Sequence, residues 1–247
     1  MARTSTPVLA PFHLIYGIYA WSVFIILALL TLLFALLTPG LERRRWVVKT
    51  GARTWMRFAG LPLQVKALET VPDGQCVIVS NHASYLDGLV FTAALPPRFG
   101  FVIKREMAAV PLAGAMLKLI GSEFVERFNR SKGASDARRV LRNAVNGHSL
   151  VFFPEGTFSQ QPGLLKFHAG AFTTAARAGC PVVPAVIRGT RKALPASGML
   201  LRPARIEIEF LPAVVAGSAT EDAALELRDR SREAILGRLE EPDLAAT

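Results

Sequence analysis

Residues 76–94 read "CVIVSNHASYLDGLVFTAA", and three kinds of local sequence follow one another within them. Cys76, Val77, Ile78 and Val79 form an unbroken apolar run, the pattern of a short strand buried on both faces. The next residues are mostly small or polar and end in Asp87 and Gly88. From Leu89 onward the apolar residues return at helical spacing. Strand, turn and helix in that order form the repeating unit of an α/β layer. Such a turn needs small polar residues, but it does not need His82.

The same alternation continues along the chain. Apolar runs predict strands at 76–80, 101–103, 150–153, 182–187 and 206–210, with helices at 85–94, 108–120, 135–146, 169–178 and 221–239. The fold class expected is α/β: a mixed, mainly parallel sheet flanked by helices, with an N-terminal hydrophobic membrane helix. The last strand, "RIEIEF", alternates strictly and is expected at a half-exposed edge. Ligand sites in open α/β sheets gather at the C-terminal ends of the strands. Two polar turns are expected on that edge: the one carrying His82, and "FFPEGTFS" at 152–159.

The N-terminal quarter differs in character. The chain of 247 residues is 51% hydrophobic with a mean hydropathy of +0.33, and residues 14–37 carry no charge. At about 1.5 Å per residue, a helix of that length exceeds the roughly 30 Å hydrocarbon core of a bilayer. Tyr16, Tyr19 and Trp21 fit an aromatic belt at its start, and it ends in "TPGLERRR" without a small-residue cleavage site, so a retained anchor is expected. Arg43, Arg44, Arg45, Lys49, Arg53 and Arg57 follow it, whereas only Arg3 precedes it, which places the rest of the chain in the cytoplasm. The basic segment reads as a helix on the membrane surface with its cations toward anionic headgroups. The division expected is an anchor and basic interfacial helix at 1–62, the α/β domain at 63–240, and a frayed tail at 241–247. The net charge of +10 suggests anionic partners. Because its cations cluster beside the apolar run, lipids are favoured and nucleic acid is not. Cys76 and Cys180 have neither metal-ligand nor disulfide-framework spacing and read as small core residues.

Ser84 and Asp87 stand three apart ahead of an apolar helix, which is the spacing of a capping box. Capping accounts for both without reference to function, but it leaves Asn81 and His82 unexplained. The same spacing lets Asp87 reach back to the Nδ1–H of His82, fixing the tautomer and leaving Nε2 as a free lone pair. An imidazole so held suits a general base. No G-x-S-x-G elbow, P-loop, G-x-G-x-x-G or H-E-x-x-H motif is present. A His–Asp pair without a neighbouring nucleophile points to activation of a hydroxyl that arrives with the substrate.

The chain resembles the glycerolipid acyltransferase family over roughly residues 60–195, where four blocks occur in order. "NHASYLDG" fits N-H-x-x-x-x-D at Asn81, His82 and Asp87. "VIKREMAAVPLAGAMLKLIGSEFVER" fits the second region, with Lys104, Glu106, Pro111 and Gly114 in place and Arg127 at its end. "FFPEGTFS" carries F-P-E-G-T at Phe153 to Thr157, and "KFHAGAF" with "CPVVPAVI" resembles the blocks that follow.

The resemblance implies a bacterial-type acyltransferase acting on 1-acyl-sn-glycerol-3-phosphate, with His82 as base and Asp87 orienting it. Asn81, Lys104, Arg127, Glu155, Gly156 and Thr157 would bind substrate. Acyl-CoA or acyl carrier protein would be the donor, with no metal or organic cofactor. The protein would lie in the cell inner (cytoplasmic) membrane, facing the cytoplasm. One position departs from the pattern: Phe158 stands where many members carry Arg. Lys166 or Arg188 are then candidate replacements for that cation, and another acceptor, such as a lyso-ornithine lipid, is the alternative. A non-catalytic lipid-binding protein on the same fold is the rival from a different class.

Overall fold

A computed structural model describes residues 9–126, 130–217 and 222–245. Two helices come first: α1 (Leu9–Leu37) and α2 (Leu41–Phe58), antiparallel across the turn at Gly40. They approach closely because Gly51 has no side chain; a Cβ there would collide with Thr31. Along the seam the Tyr16 hydroxyl donates to the Ala59 carbonyl at 2.7 Å and Trp55 Nε1 to the Ala20 carbonyl at 3.1 Å. The other side of α1 is apolar and open, with Ile15 69% and Phe34 59% exposed. Over Pro11–Leu37 the helix is long and apolar enough to cross a membrane.

Among the described residues seven strands follow: β1 (Leu63–Lys66), β2 (Val77–Ser80), β3 (Phe99–Lys104), β4 (Glu123–Val125), β5 (Ser149–Phe152), β6 (Val182–Arg188) and β7 (Ile206–Phe210). They form one sheet in the order β1-β7-β6-β2-β5-β3-β4, in which only β6 and β7 run antiparallel. The central strand β2 is buried on both faces, as its unbroken apolar run requires. Cys76 and Ile78 face a core shared with α1, α2 and α3 (Asp87–Ala94). Val77 and Val79 face another shared with α6 (Gly170–Ala178) and α8 (Ala223–Leu239), which follow α5 (Arg130–Val145) and α7 (Thr190–Ala193) respectively. Cys76 and Cys180 are both buried and unpaired.

Three expectations are corrected here. The β7 strand is not an edge, because β1 pairs with it in parallel. Its alternation has another cause: Glu207 and Glu209 emerge on one face and are met there by Lys66, Arg188 and Arg238. The helix expected at 108–120 is interrupted. Residues Arg105–Ala109 form a 3-10 turn, and α4 (Ala113–Leu119) begins only after Pro111.

The third correction concerns the basic helix, where Arg45, Lys49 and Arg53 do not all point outward. Lys49 Nζ donates to the Leu95 carbonyl at 2.8 Å and Arg53 Nε to the Ala93 carbonyl at 2.7 Å. Arg45 donates to the carbonyls of Ile120 and Arg98, each at 2.9 Å. These three stand four residues apart on one face of α2. They satisfy carbonyls that α3 and its neighbours leave open, with the charge sign that a helix C-terminus favours.

Candidate active site

Strands β2 and β5 are parallel neighbours, so the turns at their C-terminal ends lie side by side. The β2 turn places the His82 Nδ1 2.8 Å from Asp87 Oδ2. Asp87 is the first residue of α3 and fully buried. Its Oδ2 also accepts the backbone N–H groups of Ala83 at 2.6 Å and Ser84 at 2.9 Å. Holding the turn and holding the imidazole are therefore tasks of one oxygen. The other, Oδ1, is buried with no partner among the described residues. With Nδ1 committed to Asp87, His82 Nε2 makes no hydrogen bond among the described residues, and the side chain is 19% exposed.

The β5 turn supplies the walls. The Phe153 ring stacks on the imidazole with centroids 4.5 Å apart, and Phe158 meets it edge-on at 4.6 Å. The half-exposed Tyr85 extends this wall by packing on Phe158 at 4.8 Å. Phe158 thus touches the imidazole at the position where a cation would otherwise be expected. Arg188 does not replace that cation, since it is committed to Glu207 and Glu209; Lys166 is exposed at the surface.

Glu155, 3% exposed, uses both carboxylate oxygens on backbone. Its Oε1 accepts the His82 N–H at 2.6 Å and Oε2 the Leu165 N–H at 2.8 Å. Burial pushes its carboxyl up to about 7, against the pull of those two donors. Asn81, also buried, engages Ile187 with both ends of its side-chain amide, and its Oδ1 also accepts the Ser80 hydroxyl at 3.4 Å. The amide accepts the Ile187 N–H at 2.8 Å and donates to the Ile187 carbonyl at 3.0 Å, tying β2 to β6. Gly156 turns the chain at a φ of 73°, and Thr157 is exposed beside it. Lys104 closes β3 on the same sheet edge, two strands from β2. Arg127 lies outside the described residues.

Just before it, the backbone of Glu126 donates at 3.0 Å to the buried Asp136. The same carboxylate takes Arg105 on both oxygens and Arg139 on one. Burial opposes its charge, yet these donors hold it down at about 2.

Sequence reasoning placed Ser84 in the turn as a capping residue but missed its tie across the fold, where its Oγ donates to the Leu194 carbonyl at 2.8 Å. It also missed the contacts of Phe153 and Phe158 with the imidazole. No local spacing encodes pairings across 71 residues or more. Among the described residues, no group of three or more His, Cys, Asp or Glu side chains is placed to hold a metal.

The arrangement can take a proton at Nε2 from a hydroxyl entering between the two turns, while Asp87 balances the imidazolium. An acyltransferase family model matches residues 62–188. A chloroplastic 1-acyl-sn-glycerol-3-phosphate acyltransferase of Brassica napus is 34% identical over 58% of this chain and 43% of its own length. A 1-acyl-sn-glycerol-3-phosphate acyltransferase of Saccharomyces cerevisiae is 27% identical over 74% of this chain and 61% of its own. The chain thus spans under half the length of the first of these relatives. The crystal structure of the lysophosphatidic acid acyltransferase PlsC from Thermotoga maritima superposes with a TM-score of 0.76. That match is 21% identical in sequence and covers 94% of this chain and 95% of the other. On the family-model match over more than half its length, the chain belongs to the acyltransferase family.

Proposed function

We propose that the protein transfers a fatty acyl group from an acyl thioester to the free hydroxyl of a lysophospholipid, converting 1-acyl-sn-glycerol-3-phosphate to phosphatidic acid. The observation that carries this reading is the His82 Nδ1–Asp87 Oδ2 hydrogen bond of 2.8 Å, at an imidazole that is still reachable from outside. His82 Nε2 takes the hydroxyl proton as the acceptor oxygen attacks the thioester carbonyl carbon. The tetrahedral adduct collapses with loss of the C–S bond, and the departing thiolate of coenzyme A or acyl carrier protein recovers the proton from the imidazolium. Lys104 and Arg127 bind the acceptor phosphate. Gly156 and Thr157 contact the reacting groups, while Asn81 and Glu155 act on substrate through the backbone they hold. The open apolar side of α1 beds into the cytoplasmic leaflet of the inner membrane, where an amphiphilic acceptor resides.

A panel of lysolipids with either donor, assayed on parent and His82→Ala protein, tests this. We expect phosphatidic acid from the parent and a loss of about 10²- to 10⁴-fold in the variant. Undiminished transfer by His82→Ala would overturn the mechanism, and inactivity on lysophosphatidic acid would overturn the acceptor. The Phe158 ring on the imidazole favours a second reading, in which the acceptor is another lysolipid such as a lyso-ornithine lipid. The same panel separates the two.

A further inference from the structure

The end of the chain reads as a frayed tail, but the structure docks residues 241–245 along the loop that follows Glu155. Leu164 and Asp243 form a parallel bridge. The Leu164 N–H donates to the Pro242 carbonyl at 2.9 Å, and the Leu244 N–H to the Leu164 carbonyl at 3.0 Å. Gly163, at a φ of 145°, lies directly against Leu244, where a Cβ would collide.

Two arms lead from this tail to the imidazole. In one, Glu241 Oε2 accepts the Gly163 N–H at 2.6 Å and an Arg191 Nη2–H at 3.2 Å. Arg191 Nη1 in turn donates to the carbonyls of Ser159 at 2.6 Å and Gln161 at 3.0 Å. That pins the segment directly after Phe158, whose ring touches His82. In the other, Arg232 from α8 pairs with Asp243, Nη1 to Oδ2 at 2.9 Å. It also donates to the carbonyls of Leu164 at 3.2 Å and Leu165 at 3.4 Å. The Leu165 N–H holds Glu155 Oε2 at 2.8 Å, and Glu155 Oε1 holds the His82 N–H at 2.6 Å.

The ten residues from Gly156 to Leu165 contain no helix or extended strand. Ordering them costs conformational entropy at each position, and these pins offset it.

We propose that residues 241–245, working through Arg191 and Arg232, form a clasp of positioning residues that sets the His82 backbone for the transfer. The proposal rests on the reaction proposed above. Glu241→Gln, Asp243→Asn and a chain ended after Glu240 are compared with the parent in four measurements: melting, kcat, KM, and hydrogen exchange at residues 80–84. The expected result is variants that stay folded, with KM for acceptor and donor within about twofold. Their kcat falls about tenfold for either substitution and about 10²-fold for the truncation, since small misplacements of a catalytic group cost that much. The His82 amide exchanges faster, and a synthetic peptide of residues 241–247 in excess restores part of the truncated enzyme's kcat.

Parent kcat in the folded variants would overturn the clasp. So would parent-like exchange at His82, or loss of activity only in step with the folded fraction, including a truncated chain that does not fold. Exchange is read without substrate, so it reports on the clasp even where the parent acylates no lysolipid, the outcome that would instead sink the proposed reaction.

Discussion

The β2–α3 turn and the α1–α2 hairpin meet at α3 yet obey opposite rules. In the turn, Asn81, Ser84 and Asp87 are buried polar residues, each bonded to a named backbone group of the protein. In the hairpin, apolar side chains such as Ile15 and Leu37 are left open along a continuous face. Buried polar groups need partners, and the turn finds all but Asp87 Oδ1 inside the fold. Apolar area needs removal from water, and the hairpin completes this only against something outside the protein. Binding energy and chemistry are thus assigned to separate stretches of chain, and each can be disturbed without the other.

The largest effect is expected in the turn. Asp87→Asn leaves a side chain of the same size but presents the wrong groups to Nδ1 and to two backbone N–H donors. We expect kcat to fall about 10³-fold, comparable to His82→Ala, while membrane partitioning stays at the parent level. Flotation with liposomes and steady-state assay of one preparation check both halves. If Asp87→Asn protein also leaves the membrane, the two regions are not separable.

The converse experiment places a charge on the open face. Leu33 is 51% exposed, so Leu33→Glu disturbs little internal packing. A carboxylate there costs about 2 to 3 kcal/mol of lipid affinity, or roughly 10²-fold in partitioning. Activity on a detergent-solubilised acceptor is expected to hold. Ala35→Glu, two residues on but fully buried, should instead destabilise the fold, which thermal melting reads.

Two carboxylates near the sheet edge should respond to pH in opposite directions. Asp136 is held at about 2, below its ordinary 3.8, so its contribution is present above pH 3.8 and fades as pH falls toward 2. That difference corresponds to about 2 kcal/mol, which Asp136→Asn should forfeit at pH 7 in urea unfolding. Glu155 is raised to about 7 from 4.5, so the folded state holds its proton more tightly than the unfolded state does. Its contribution is present below pH 4.5 and is lost as pH rises to 7. A parent stability curve rising between pH 2 and 4, with a decline between 4.5 and 7 that Glu155→Gln removes, would show both.

The smallest effect is expected at Phe158. Phe158→Arg places a cation beside the imidazole and should shift kcat/KM by about threefold to tenfold toward phosphate-bearing acceptors, with melting unchanged. No shift would mean that the wall does not contact the headgroup.

The strands at the centre were legible because burial on both faces writes itself as a run of apolar residues, as in Cys76–Val79. β1 and β4 were missed because edge strands of three or four residues, such as Leu63–Lys66 with its half-buried pattern, leave no such run. At the site, His82 and Asp87 could be read from local spacing, since their geometry is set within one turn; Asn81 was given a role only through the family resemblance, and its partner Ile187 lies on another strand. The partners of Glu155 could not, because Leu165 and His82 reach it from a loop and from another strand end. The inward orientation of Arg45, Lys49 and Arg53 was missed for the same reason. Composition shows the charge, but the carbonyls it meets belong to distant segments.

That orientation has a mechanical meaning. Lys49 and Arg53 grip the last carbonyls of α3, while Asp87 opens its first turn. Eight helical residues, about 12 Å, therefore separate the hairpin's handhold from the imidazole. The helix acts as a gauge block: wherever the hairpin comes to rest, the reacting centre sits at a fixed offset from it. Inserting a single turn into α3 would change that working depth without touching any reacting group.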